Sequence, residues 1–153
     1  DLGCGTGLMG IEVSQYCQNL EGVDISQSML EKAKDKKIYN KLFHNDIVRY
    51  LTTETLNFDY FISADVFVYM GELSDVFRLI KSRNDRIGRL VFSTEHMEKG
   101  DYLLQSSGRY SHSKDYIKWL CEKHNYRLSY FQKSDLRREK GNVICGGLYL
   151  LEF

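Results

Sequence analysis

Asp1-Leu2-Gly3-Cys4-Gly5-Thr6-Gly7-Leu8-Met9-Gly10 sets glycines at positions 3, 5 and 7, between an apolar strand end and a helix. Glycine admits left-handed backbone angles and lets the main chain pass close to a ligand that a Cβ would block. The helix that follows turns its N–H groups and positive dipole end toward that space, which favours an anionic ligand group. Glu21-Gly22-Val23-Asp24 forms a short segment that ends in a carboxylate fourteen residues after Gly10. A glycine turn with an acid at the tip of the next strand is the layout of a nucleoside-binding α/β site.

These residues need strands and helices to place them. Met9, Val13, Tyr16, Cys17 and Leu20 follow helical spacing, so a helix is expected from about Leu8 to Asn19. Gly22 to Ile25 reads as a strand, and Ser26 as the N-cap of a helix carrying Met29, Leu30 and Ala33. Lys41 to His44 is a brief strand, with Asp46 capping a short helix through Ile47 and Leu51. Phe58 to Ala64 is nearly continuously apolar, as in a parallel strand covered on both faces. Leu73, Val76, Phe77 and Ile80 mark another helix, and Arg89 to Thr94 another strand. From Glu95 to His112 the pattern lapses into polar, glycine-containing sequence, expected as a long functional or mobile loop. Ser113 then caps a helix bearing Tyr116, Ile117, Leu120 and Cys121.

Two final strands, about Tyr126–Lys133 and Val143–Phe153, flank a charged loop, and Gly146-Gly147 implies a bulge or a close backbone approach. The alternation describes a single α/β domain over residues 1–153, doubly wound and Rossmann-like. Its sheet is expected to be mostly parallel and seven-stranded, with one antiparallel strand in a C-terminal hairpin. The chain starts at Asp1 without an initiator Met and without the apolar body of its first strand, so a natural N-terminus further upstream is expected.

Composition narrows the function classes. At 153 residues, 42% hydrophobic and 27% charged, the chain has the makings of one globular domain. Lys+Arg and Asp+Glu are both 21, and this balance argues against a nucleic-acid or membrane-surface binder, which carries a basic excess. Arg137, Arg138 and Lys140 form a short basic run that reads as a solvated loop. Cys4, Cys17, Cys121 and Cys145 are too scattered for a zinc site or a disulfide framework, which suits reduced thiols in a cytoplasm. His44, His96, His112 and His124 show no ligand spacing, so no metal is expected.

Two cofactor patterns overlap in the opening turn. Gly5-Thr6-Gly7-Leu8-Met9-Gly10 matches the dinucleotide fingerprint, with Asp24 near the required distance, and allows an NAD(P)-dependent oxidoreductase. Asp1-x-Gly3-x-Gly5-x-Gly7 instead resembles the first motif of class I S-adenosylmethionine-dependent methyltransferases. An acid before the glycines, a second acid (Asp46) after the third strand, and a reversed terminal strand all favour the second pattern. The resemblance covers essentially the whole chain. Its blocks are Asp1–Gly7, Gly22–Asp24 with Ser26-Gln27-Ser28-Met29-Leu30, Ser63 to Met70, and Gly108 to Ser113. They are similar to bacterial methyltransferases often linked to tetratricopeptide repeats, which would lie upstream. Where many relatives carry a Pro-Gly turn before the fifth strand, Arg86-Ile87-Gly88-Arg89 stands here.

The resemblance implies S-adenosylmethionine as cofactor and S-adenosylhomocysteine as product. Asp24 would accept from both ribose hydroxyls, Gly3, Gly5 and Gly7 would line the methionine moiety, and Asp1 would lie near its ammonium. Ile25 and Met29 would pack on the adenine faces, although Met29 has helix-core spacing. Asp46 and Ile47 would meet the adenine edge, although Asp46 is also a natural N-cap. Ala64 would border the cofactor.

The methyl acceptor belongs beyond the carboxyl ends of the strands, near Ala64 to Tyr69 and the Glu95–His112 segment. Asp65, Tyr69 and His112 are the candidates for shaping or deprotonating it, with Tyr110 beside them; for His112 an exposed loop position is the simpler expectation. Exocyclic-amine base methyltransferases resemble one another in an Asn/Asp-Pro-Pro-aromatic block, and Ala64-Asp65-Val66-Phe67 replaces it here. A small-molecule or protein acceptor is therefore expected, with no nucleic acid and no membrane. A non-catalytic cofactor-binding interaction module is the alternative outside enzymes.

Overall fold

A computed structural model describes residues 1–139 and 142–153. The elements are α1 (Leu8–Ser14), β1 (Glu21–Asp24), α2 (Gln27–Asp35), β2 (Lys41–His44), α3 (Ile47–Thr53), β3 (Tyr60–Ser63), a 3₁₀ turn (Phe67–Tyr69) and α4 (Ser74–Arg83). They continue with β4 (Arg89–Met97), β5 (Tyr102–Leu104), β6 (Tyr110–Ser113), α5 (Lys114–His124), β7 (Arg127–Glu139) and β8 (Asn142–Glu152).

The strands form a mixed sheet. β1 and β2 pair in parallel, and β4 pairs in parallel with β3 on its first half and with β6 on its last residues. Leu2 fills the slot between β1 and β3: it bridges Val23 in parallel and its N–H donates to the Ile62 carbonyl at 2.7 Å. The opening turn thus leaves from the middle of the sheet. β8 lies between β4 and β7 and is antiparallel to both. The Rossmann-like expectation holds in this coarser form. A mostly parallel seven-stranded sheet does not, because β5 and β6 form an antiparallel hairpin within the segment expected as loop.

Helices α3, α4 and α5 cover one sheet face, where Phe61, Leu90, Phe92, Tyr149 and Leu151 are buried with Val76, Phe77, Ile80, Ile117 and Leu120. Phe92 and Tyr149 stack at 4.9 Å. On the opposite face α1 and α2 lie near β1, where Gly22 sits against Tyr39 and Leu42. Beyond them a cleft of about 470 Å³ runs over Ile62, Val91, Leu148 and Leu150. β3 is accordingly buried only at alternate residues, not on both faces as its apolar run suggests.

Several boundaries move for identifiable reasons. α1 stops at Ser14, not near Asn19, since Tyr16 is 82% exposed and Cys17 is exposed beside it, so neither anchors a further turn to the core. Ser26 occupies the N-cap of α2, but its hydroxyl meets that of Ser28 and makes no capping bond. Ser113 does cap α5, accepting from the Tyr116 N–H at 3.0 Å. β7 runs through Ser134–Glu139, in place of the expected charged loop, so Arg137 and Arg138 stand in a strand; Lys140 of that basic run lies outside the described residues. A bulge falls between Asp135 and Arg137, and it lays the Leu136 side chain over Gly146, where a Cβ would collide with it.

Candidate functional site

The opening turn uses its glycines in different ways. Gly3, Gly5 and Gly7 all have left-handed backbone, with φ of 73°, 52° and 83°, a region that penalises other L-residues. A Cβ on Gly3 would strike Val66 at 2.5 Å, and one on Gly7 would meet Tyr39 at 3.0 Å. A Cβ on Gly5 would meet nothing within 4 Å. Positions 3 and 7 are therefore small for packing, whereas position 5 faces open space at the mouth of the site.

Asp24 ends β1 against that turn. Its Oδ2 accepts from the Gly5 N–H and its Oδ1 from the Ser26 N–H, both at 2.8 Å. Two backbone donors thus fix the carboxylate's orientation, and each oxygen retains a second lone pair for a hydroxyl donor. Beside it, Ile25 is 72% and Met29 40% exposed, while the buried residues of α2 are Leu30 and Ala33. The helix-core reading of Met29 is thereby overturned; Ile25 and Met29 form an exposed apolar surface beside the carboxylate. The His44 ring contacts the Ile25 carbonyl at 3.0 Å and steadies that turn.

Asp46 is the N-cap of α3, its Oδ1 accepting from the Arg49 N–H at 3.1 Å. The Ile47 side chain belongs to the core. Asp1 accepts from the Tyr39 hydroxyl at 2.6 Å, on the side of the turn where Tyr39 packs against Gly7 and Gly10. Burial raises the Tyr39 phenol, and burial with the nearby Asp24 charge raises the Cys4 thiol to about 11, so both stay protonated at neutral pH.

The far side of the cleft is built on the segment after β3. Ala64 and Asp65 line the cleft together with Ser63 and Ser93. Asp65 has φ 57°, an uncommon conformation for a non-glycine residue, held by its N–H donating to the Ser93 hydroxyl at 2.8 Å. Such strain gathers at functional sites. Phe67 and Val68 are fully buried, which leaves Tyr69 exposed at the rim.

His112 is placed differently from expectation. It lies in β6, fully buried between Tyr102 and Tyr116, with a ring nitrogen 2.9 Å from the Gly71 carbonyl. Burial holds its pKa below the ordinary value. No alternation marks this short strand in the sequence, since Ser111, His112 and Ser113 are all buried.

Two residues outside the expected set stand beside Tyr69. Glu95, buried at the end of β4, faces Arg109 with 3.9 Å between Oε1 and Nη1. The Arg109 guanidinium lies 5.4 Å from the Tyr69 ring centre and donates to its hydroxyl at 3.2 Å. Among the described residues no group of His, Cys, Asp and Glu is arranged to hold a metal ion, and no helix is long and apolar enough to cross a membrane.

Comparison with known proteins places this geometry. A family model described as a methyltransferase domain matches residues 1–83. No curated protein sequence matches the chain. Among solved structures, the chain is similar to magnesium protoporphyrin IX methyltransferase from Synechocystis PCC 6803 with bound S-adenosylmethionine, with a TM-score of 0.73 and 19% identity over 99% of this chain and 67% of that one. It is also similar to the N-methyltransferase NodS from Bradyrhizobium japonicum WM9 in complex with S-adenosylhomocysteine, with a TM-score of 0.75 and 15% identity over 99% and 74% of the two chains. A third is an S-adenosylmethionine-dependent methyltransferase from Mesorhizobium loti, with a TM-score of 0.75 and 16% identity over 100% and 89%. At these identities the structures establish the fold. The family model covers more than half of the chain, and the chain belongs to the methyltransferase-domain family.

Proposed function

We propose that this methyltransferase-family chain moves a methyl group from S-adenosylmethionine to a small-molecule or polypeptide acceptor bound beyond the carboxyl ends of β3 and β4. The observation that carries the reading is the Asp24 carboxylate, locked by the Gly5 and Ser26 amides beside the open Gly5 face. Its remaining lone pairs suit the paired hydroxyls of a ribose. Ile25 and Met29 would pack against the adenine, and Asp46 with the backbone at Ile47 would border its edge. Gly3, Gly5 and Gly7 would pass the methionine moiety, Ala64 would close the sulfur end, and Asp1 would set negative charge behind the turn.

The sulfonium supplies an already activated methyl group. The chain's own task is then alignment, and holding two reactants in line contributes as much as roughly 7–11 kcal/mol in favourable cases. Asp65, bonded through its amide to Ser93, and Tyr69 at the rim are the groups placed to orient an acceptor or take its proton. His112 is too enclosed to reach one. The four cysteines are free thiols, which supports a cytoplasmic setting. The quoted blocks from Ser63 to Met70 and Gly108 to Ser113 support the bacterial subgroup linked to tetratricopeptide repeats, a point the full reading frame tests.

Thermal-shift titration with S-adenosylhomocysteine and, separately, NAD(H) tests the cofactor. A ligand that binds only the folded state raises the melting temperature, by about 2.7 kcal/mol of stabilisation at a hundredfold excess over Kd. The expected result is a rise with S-adenosylhomocysteine alone. A rise with NAD(H) alone would overturn the reading.

A further inference from the structure

The segment from Asp65 to Gly71 touches both halves of the site, and its contacts at each end differ. At one end Val66 lies where a Cβ on Gly3 would be, so the segment rests on the opening turn. At the other end its neighbours come from the β5–β6 hairpin. A Cβ on Gly71 would meet Tyr110 at 2.8 Å and Tyr102 at 3.0 Å. The Gly71 carbonyl is 2.9 Å from the His112 Nε2, and the Tyr69 hydroxyl accepts from Arg109.

We infer that the β5–β6 hairpin is a clamp for the acceptor segment, with His112 and Arg109 as positioning residues that hold residues 65–71 against the glycine turn. The inference rests on the methyltransfer reading for its purpose, and on the contacts alone for its mechanics. A carbonyl only accepts, so Nε2 must carry the proton of the His112 bond. The Met70 backbone adjoins the same imidazole, and with the Gly71 carbonyl at Nε2 and the ring buried, the neutral Nε2–H tautomer is the form that fits. Around the ring stand Tyr102 and Tyr116, and the hydroxyl of Tyr116 donates to Glu72 at 3.4 Å.

Arg109 works at the rim in the same direction. Its planar guanidinium covers the Tyr69 ring and bonds its hydroxyl, while buried Glu95 faces its other nitrogen. A lysine would keep the charge and lose the fork. The hairpin thus fixes where Tyr69 stands relative to Asp65, and through Val66 where both stand relative to the turn.

Amide hydrogen exchange on the whole chain tests the clamp, read at Tyr69 and Met70, whose N–H groups bond the Val66 and Phe67 carbonyls. His112→Phe keeps an aromatic ring and removes the donor; His112→Gln restores an N–H of similar reach. The expected result is at least tenfold faster exchange at both amides in His112→Phe, recovery in His112→Gln, and unchanged exchange at Phe77 in α4. Nitrogen-15 spectra of the unsubstituted protein should show the Nε2–H tautomer, and Arg109→Lys should loosen Tyr69 without moving Phe77. Wild-type exchange rates in His112→Phe and Arg109→Lys, or an Nδ1–H tautomer, would overturn the clamp; should His112→Phe not fold, the tautomer and Arg109→Lys still decide. S-adenosylhomocysteine titration of the same samples separates the two claims, since a failure to bind counts against methyl transfer and leaves the exchange result to judge the hairpin.

Discussion

Single residues in the opening turn carry separable duties. Gly5→Ala places a methyl group in open space at φ 52°, so its cost to folding is the left-handed penalty of about 1–2 kcal/mol. That methyl group points where a ligand would lie, and S-adenosylhomocysteine affinity should fall by more than tenfold in isothermal titration. Gly3→Ala drives a methyl group into Val66 and should lower the melting temperature more than Gly5→Ala does; the reverse ranking would contradict these assignments. His112 gives a pH signature. Its folded pKa lies below the ordinary 6.5 because the ring is buried, while the unfolded chain protonates at the ordinary value. Between those two values the unfolded state binds more protons, so stability is whole above about 6.5 and falls as pH drops, by at most about 1.4 kcal/mol per pH unit for one histidine. His96 and His124 shift the same way and add to the fall. Urea unfolding between pH 7.5 and 5.5 should show a shallower slope for His112→Gln than for the wild type, and equal slopes would contradict the assignment.

Elements built on a clear period and a cap are legible in the sequence. Ser113 with Tyr116, Ile117, Leu120 and Cys121 states both the start and the buried face of α5, and all four of those following residues are buried. Ser113→Ala should cost about 1 kcal/mol in chemical denaturation, the ordinary worth of a side-chain cap. The terminal hairpin is legible too, with its close approach at Gly146. What stays hidden is β5 and β6, because Tyr102-Leu103-Leu104 is exposed along its whole length and Tyr110 to Ser113 is too short for alternation to register. Arg109 and Glu95 are invisible for the same reason. They lie fourteen residues apart in sequence, and only the parallel pairing of β4 with β6 brings them together. Asp24, by contrast, is legible from the glycine pattern and its place at the end of a short apolar segment. Its two partners, Gly5 and Ser26, sit in the turns that lead into α1 and α2.

At the scale of the molecule the two sheet faces are unequal, which an apolar run such as Phe58 to Ala64 does not disclose. Leu151 points into the covered face and is fully buried, whereas Leu150 lines the open cleft. Leu151→Ala should cost about 2–5 kcal/mol, as truncation in a packed core does, and Leu150→Ala less than half as much; comparable losses in denaturant titrations would contradict this division of the sheet. The same asymmetry sets the site at the junction of the opening turn and the carboxyl ends of β3 and β4, with Asp24 on one side and Asp65 on the other. The most direct measurement of that arrangement is a crystal structure of the chain with S-adenosylhomocysteine. Its ribose hydroxyls should lie within hydrogen-bond distance of Asp24 and its sulfur should point toward Ala64 and Asp65. A ligand-free turn at saturating concentration, or the ribose held by other residues, would contradict it.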